Sequence, residues 1–345
     1  MEALLTQAFR FQSTNTLDKV YGLLGMVRPG CDVEPIVPDY NKSLKEVYAE
    51  ATWYAIQEEL SLDLLNNITP RRDEPHKNIS TANDPWPSWV PRYDLNIDKS
   101  DRAANSTGTN ASNDFEAIVS LDPELPFVLQ AHGVSLGRIE TMRKASPDVL
   151  RTNIYEDHGP MYRHFSYLWD PLFVESKNTT WSPSLIKNIA SSLVCGRYNR
   201  DKDNPYRDAE SDPATVQDFA AFVLEVNEAC PMTSECPELR SLLETYVLKD
   251  GDASSYAAAV SYFTEKFAPL ELSNARFGMG YQSCREGDEV CILFGARQPF
   301  VVRKVGEHYK LLGTVYVAGV MKGEYVQELE DSGRLEAEDR VYEIA

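Results

Sequence analysis

The sequence predicts an α+β fold, with helical N-terminal and central parts and an antiparallel β-sheet or small barrel built from residues ~115–139 and ~281–321. Three observations carry this. Apolar residues recur at helical spacing in the first 60 residues and again between Pro147 and Glu265. Short runs rich in Val, Ile, Tyr and Phe, punctuated by glycine, occupy the two β regions. Each β region holds too few strands to stand alone, so the two distant segments are expected to pair.

Taken in order, Arg10 to Gly25 (RFQSTNTLDKVYGLLG) reads as a capped amphipathic helix. Thr14, Asn15 or Thr16 can cap its first turn, and Asp18 complements the helix N-terminus. Leu17, Val20, Tyr21 and Leu24 form one apolar stripe, and Gly25 can close the helix in the left-handed conformation. A second helix is expected from Leu44 to about Leu60, with Leu44, Val47, Tyr48, Ala51, Tyr54 and Ala55 on its buried face. Ser43 and Glu46 have the spacing of a capping box. Leu62 to Ile68 reads as a short buried segment, with strand as one option. A polar stretch then leads to WPSWVPRYD, where Pro85, Pro87 and Pro91 forbid a regular helix and present Trp86 and Trp89 from a stiff loop. Two readings stand for these tryptophans: they plug the core, or they line an apolar ligand pocket.

Lys99 to Asp114 is polar and poor in large apolar residues, as expected of a linker. The predicted organisation is a helical segment with the WPSWVP loop over 1–98, a linker over 99–114 and an α+β body over 115–345. Phe115–Leu121 reads as a strand. Phe127–Ala131 and Val134–Ile139 read as a hairpin turning at His132-Gly133. Helices follow to about Glu265, and after Pro269 come strands at Glu289–Phe294, Phe300–Val305, Tyr309–Leu312 and Thr314–Val317. The acidic tail from Gln327 to Ala345 is expected to be peripheral.

Composition narrows the function. Against 34 Lys and Arg stand 53 Asp and Glu, a formal net charge of -19. Such a chain repels phosphate backbones and anionic lipid, so no nucleic-acid partner is expected. No apolar run approaches the roughly 18 residues that span a bilayer, so no membrane insertion is expected either. MEALLTQAFRF lacks the pattern of a secretory signal. The six cysteines are scattered and read as free thiols, which places the chain in the cytoplasm and leaves its Asn-X-Ser/Thr sites unglycosylated. There is no phosphate loop, no dinucleotide-binding glycine motif in a βαβ setting, no H-E-x-x-H, no paired C-x-x-C and no nucleophile elbow, so neither a cofactor nor a metal is expected.

Three separated segments resemble the fungal heterokaryon-incompatibility (HET) proteins. TLDKVYGLLG with PDYNKSLKEVYAEAT is similar to the closing motif of the HET domain. LDLLNNI with PSWVPRYD is similar to the family's "lPSWVPdW" element. GDEVCILFGARQPFVVRKVGEHYKLLGTVYVAGVMKGE is similar to the β region that ends these proteins, including its YxxGxMxGE finish at Tyr316, Gly319, Met321, Gly323 and Glu324. The resemblance also implies a departure. HET domains open with a segment like "YxxLSYxWG" and carry their TIR-like, NAD-cleaving apparatus in the first half. This chain opens just before the last motif, so no catalytic residue carries over. The Asp18-Lys19 pair that does match reads as a helix-start or salt-bridge element.

What remains for chemistry is aromatic density. Trp53, Trp86, Trp89, Tyr93 and Trp169 are the candidate substrate-binding residues, suited to a hydrophobic terpenoid or polyketide intermediate. His158, His164 and Tyr162 are the candidate catalytic groups, able to add a hydrogen bond or proton to a substrate held in a reactive fold. The first expected function is therefore a HET-like protein recruited as a cofactor-independent cyclase or isomerase of fungal specialised metabolism, of the [4+2] type. The alternatives are a non-catalytic recognition module of heterokaryon incompatibility with a protein partner, or a truncated remnant of a HET NADase.

Overall fold

The computed structural model describes residues 1–27, 33–69, 86–95, 108–144, 181–200, 207–229, 237–247 and 250–345. The chain divides into two compact units: Met1–Leu136 with Asp288–Thr314 and Val320–Ala345, and Gly137–Gly287 with Val315–Gly319.

In the first unit, α1 (Glu2–Ala8) and α2 (Asp18–Tyr21) are short, and a 3₁₀ turn, Leu24–Met26, follows α2. Asn15 Oδ1 accepts the Leu17 N–H at 3.0 Å, in a turn before the helix, but Leu17 itself is the N-cap of α2 and no side chain caps the first turn as expected. Gly25 does not close a helix: its φ is not positive and a Cβ there would meet nothing within 4 Å. Gly22 is the constrained glycine, since its Cβ would lie 2.7 Å from the Asp18 carbonyl oxygen. The tighter 3₁₀ winding also shifts the buried stripe, so that Leu23 rather than Leu24 completes Leu17, Val20 and Tyr21. Helix α3 (Leu44–Glu59) begins with the expected capping box: Ser43 Oγ accepts the Glu46 N–H at 3.3 Å and Glu46 Oε2 accepts the Ser43 N–H at 2.7 Å. Its buried face includes Val47, Tyr48, Ala51, Tyr54 and Ala55. The next segment, Asp63–Asn67, is 3₁₀ helix and not strand; Leu64 and Leu65 are both buried, which strand alternation does not allow for one face.

Strands β1 (Val119–Leu121) and β2 (Leu129–Met142) follow. The expected turn at His132-Gly133 does not exist, because β2 runs straight through it. Gly133 marks a close approach instead of a bend: a Cβ there would stand 2.4 Å from the Ile292 carbonyl oxygen. Strands β7 (Glu289–Leu293), β8 (Phe300–Val305) and β9 (His308–Thr314) form an antiparallel meander. The acidic tail holds α8 (Glu324–Asp331), α9 (Leu335–Glu338) and β11 (Asp339–Ile344). Far from peripheral, β11 lies between β2, which it pairs antiparallel over six residues, and β9, which it meets in parallel. A further β2–β7 pairing closes β2, β11, β9, β8 and β7 into a small barrel. Leu129, Ala131, Cys291, Leu293, Phe300, Val302, Leu311, Tyr342 and Ile344 share one apolar core with α1 to α3. On the other face Val326 and Leu329 of α8 cover Val134, Ile292 and Phe294.

The second unit begins within β2 at Gly137. Its helices are α4 (Pro183–Leu193), α5 (Pro213–Ala229), α6 (Pro237–Val247) and α7 (Ala253–Thr264), with a ribbon of β3 (Arg197–Tyr198) and β4 (Arg207–Asp208). Strands β5 (Phe267–Leu272) and β6 (Phe277–Tyr281) continue from β2, and β10 (Tyr316–Val317) ends the row. β5 and β6 follow the expected helical section and are not among the strands expected from the sequence; Pro269 within β5 obscures the strand pattern. The α+β class and the joining of the two distant β segments are as the sequence predicts.

Candidate functional site

The WPSWVP loop lies in the first unit, and its polar groups are spent within the fold. Trp86 Nε1 donates to the Val90 carbonyl and Trp89 Nε1 to the Phe127 carbonyl, each at 2.8 Å. Ser88 ties the end of β11 to the middle of β9: its N–H donates to the Ala345 carbonyl at 3.0 Å, its hydroxyl donates to the same oxygen, and its Oγ accepts the Leu311 N–H at 2.9 Å. Arg92 pairs with Asp94 and lies 4.4 Å from the Trp86 ring centroid, a cation–π contact. Beneath the loop Tyr93 is fully buried, its hydroxyl 2.9 Å from Thr52 Oγ1. Tyr48 meets both Trp86 and Tyr93 edge-on, with centroids 5.9 and 5.0 Å apart. Burial drives the Tyr48 and Tyr93 hydroxyls far above their usual range, so both remain protonated.

Two charged groups flank this cluster. Lys19 is 8% exposed and donates from Nζ to the carbonyls of Ala8, the last residue of α1, and of Phe11 beyond it. Burial lowers its affinity for a proton and the Asp94 carboxylate partly restores it. At the start of α1, burial first and then the Asp63 and Glu59 carboxylates push the Glu2 carboxyl up to about 7.

The C-terminal signature residues are also architectural. Tyr316 donates its hydroxyl to Glu210 Oε1 at 2.6 Å, and its ring leaves no room for a Cβ on Gly196. Gly319 has φ +73° and donates its N–H to the same carboxylate oxygen at 3.4 Å. Met321 is buried and its carbonyl accepts the Asn110 N–H at 2.7 Å. Gly323, at φ +89°, precedes α8, and a Cβ there would crowd Asn113. Glu324 Oε2 takes the Lys322 N–H at 2.8 Å. In the second unit a fully buried carboxylate, Asp218, accepts the Tyr198 hydroxyl at 2.5 Å, Arg200 Nε at 2.8 Å and the Asp252 N–H at 2.6 Å.

Of the sequence-predicted site residues, Trp86, Trp89 and Tyr93 come together. Trp89 and Tyr93 are fully buried; Trp53 and Trp86 are partly buried against the same core. His158, Tyr162, His164 and Trp169 lie outside the described residues. Sequence reasoning passed over Ser88 and read Lys19 only as half of the Asp18-Lys19 pair. The signal for each was slight: a lone cation inside an apolar repeat, and a single hydroxyl between two prolines. Among the described residues no group of three or more His, Cys, Asp or Glu is placed to hold a metal ion. Among them, too, no helix is long and apolar enough to cross a membrane.

Residues 242–333 match the family model of the Het-6 beta-barrel domain. The match runs from within α6 through α8, taking in α7 and β5 to β10, and it supports a HET-related family for this chain. Neither a curated protein nor a solved structure matches the sequence.

Proposed function

We propose that this HET-related chain is a non-catalytic recognition module of heterokaryon incompatibility, acting in the cytoplasm on a protein partner. The observation that carries this reading is the use of the aromatic cluster. Trp89 and Tyr93, the two most deeply placed of the candidate ligand contacts among the described residues, have no exposed surface, and their polar ends bond to Phe127 and Thr52. A side chain so committed braces a scaffold and offers nothing to a substrate. The HET-like signature at Tyr316 to Glu324 is likewise occupied in shaping turns around the matched barrel domain. What such a scaffold presents is surface, and recognition is the chemistry of surfaces.

Expression in paired fungal strains tests the reading, with viability after cell fusion as the output. The chain is expected to change viability in specific pairings, and a variant with an unfolded barrel, Gly133→Leu, is expected to lose that effect. Unchanged viability in every pairing overturns the proposal. So does catalytic conversion of a terpenoid or polyketide intermediate by the purified chain, which would restore the cyclase reading.

A further inference from the structure

Strand β11 has one well-made edge and one bare one. Toward β2 it is laddered over six residues, from Asp339↔Val134 to Ile344↔Leu129. Toward β9 it has a single register pair, Ile344↔Tyr309, beside which the Ala345 N–H donates to the Tyr309 carbonyl at 2.9 Å. Main-chain groups of alternate residues face the same side of a strand, so the N–H and C=O of Val341 and Asp339 face away from β2 as well. Among the described residues no strand pairs with them there, because β9 begins only at His308. The β8–β9 turn leaves the place open. A Cβ on Gly306 at its tip would meet nothing within 4 Å, and Val305 and Val341 are 57% and 44% exposed.

We propose that the bare edge of β11 around Val341 docks an extended basic segment of a protein partner, which adds to the barrel as a further strand. The ladder supplies the affinity and the flanking charges choose the occupant. Tyr342 and Ile344 point into the core, so Asp339, Val341 and Glu343 share the outer face. That face reads carboxylate, valine, carboxylate. Asp339 lies 3.0 Å from His132 Nδ1 and Glu343 3.8 Å from His308 Nδ1, yet their side chains remain 29% and 42% exposed. Exposed Glu307 and Glu338 add to the same charge. The cations close by are engaged: Arg340 with Glu289 and Tyr342, and Lys304 with the Glu307 carbonyl and the Tyr309 ring. Lys310 lies level with Ala345, past the bare stretch.

A second copy of this chain does not suit the edge. Two β11 strands paired antiparallel about Val341 would set Asp339 opposite Glu343 twice, and like charges directly opposite repel. Charged residues on an edge strand commonly deny such pairing. Here they deny a second copy and favour lysine or arginine on either side of an apolar residue. The inference gives the recognition reading its partner chemistry and rests on that reading for its biological use.

Fluorescence anisotropy of labelled peptides with the full chain tests it. TKTVTKT is expected to bind roughly tenfold more tightly than TETVTET, and TKTPTKT, whose proline gives the ladder no N–H, is expected not to bind. Asp339→Asn with Glu343→Gln is expected to weaken TKTVTKT by about two- to fivefold for each carboxylate removed. Val341→Pro removes a donor that faces only the bare edge, and it is expected to abolish binding while the far-ultraviolet dichroism stays unchanged. If that variant does not fold, amide hydrogen exchange of the unaltered chain decides. Saturating TKTVTKT is expected to slow the Val341 amide and leave the Tyr342 amide, which faces β2, as it was. No binding of TKTVTKT, equal binding of the basic and acidic peptides, undiminished binding by a folded Val341→Pro chain or an unchanged Val341 amide overturns the proposal. So does a dimer of the chain that Val341→Pro dissolves, since the occupant is then a second copy. Unchanged viability in paired strains would sink the recognition reading and leave these binding results standing, so the two fail separately.

Discussion

Lys19 Nζ donates to the Ala8 carbonyl across 2.8 Å and also to the Phe11 carbonyl, so that a cation of α2 ties down the end of the helix that precedes it. The C-terminal carbonyls of a helix lack partners within the helix, and a cation there is favoured by both hydrogen bonding and the helix dipole. The Asp18 carboxylate beside it does something unrelated, accepting the Tyr40 hydroxyl at 2.8 Å. The expected Asp18-Lys19 element is thus two separate tethers.

Replacing Lys19 with methionine keeps the stem and removes the donors. One buried and one partly buried carbonyl then lose a charged partner, and the fold is expected to lose about 1–3 kcal/mol in chemical denaturation. A loss below about 0.5 kcal/mol would show that water satisfies those carbonyls equally well.

Gly133→Ala tests the close approach of β2 and β7. The added Cβ would meet backbone, with the Ile292 oxygen at 2.4 Å and the Leu293 Cα at 2.9 Å, so neither neighbour can swing away as a side chain would. Overpacking of this kind costs about 1–3 kcal/mol. Gly25→Ala, with nothing within 4 Å, is the control and is expected to be neutral within about 0.5 kcal/mol.

Asp218→Ala leaves Tyr198, Arg200 and the Asp252 N–H without their shared acceptor. Removing one partner of a buried ion pair typically costs about 3–5 kcal/mol. Since Arg200 is partly exposed and can turn to water, the lower end of that range is expected. The denaturation midpoint reads it, and a midpoint equal to that of the unaltered chain sinks the idea that Asp218 organises the second unit.

The Glu2 carboxyl gives the first unit a pH dependence of defined sign. Its proton affinity rises on folding, from 4.5 to about 7. Between those values the folded chain holds a proton that the unfolded chain has released, so stability declines as pH climbs from about 4.5 to about 7 and is level above that. Glu2→Gln is expected to flatten this slope in melting temperatures taken across the window. An identical slope in the variant places the proton elsewhere.

Much of the fold was legible because local chemistry agreed with tertiary context. The Ser43–Glu46 capping box, the buried stripe of α3 and the β7–β9 meander depend on nearest neighbours and on periodicities of 3.6 and 2 residues, which a linear string records. Around WPSWVP the prolines announced a stiff loop, and both readings of its tryptophans were open. Burial in the completed unit accounts for Trp89, whose indole N–H reaches Phe127 only when the chain returns 38 residues later.

Other features had no local signature. Gly133 looked like a turn because a glycine in a strand and a glycine in a hairpin are written identically; only the Ile292 carbonyl pressed against it distinguishes them. β11 looked peripheral because six residues, half of them polar, bury Tyr342 and Ile344 solely through strands more than 30 and 200 positions earlier. From residue types and spacing came the α+β class, the capping box of α3 and the barrel's main strands. Which strand closes the barrel, what Lys19 and Ser88 hold, and where the histidines meet carboxylates came from non-local packing, where a residue's role depends on partners brought near only by folding.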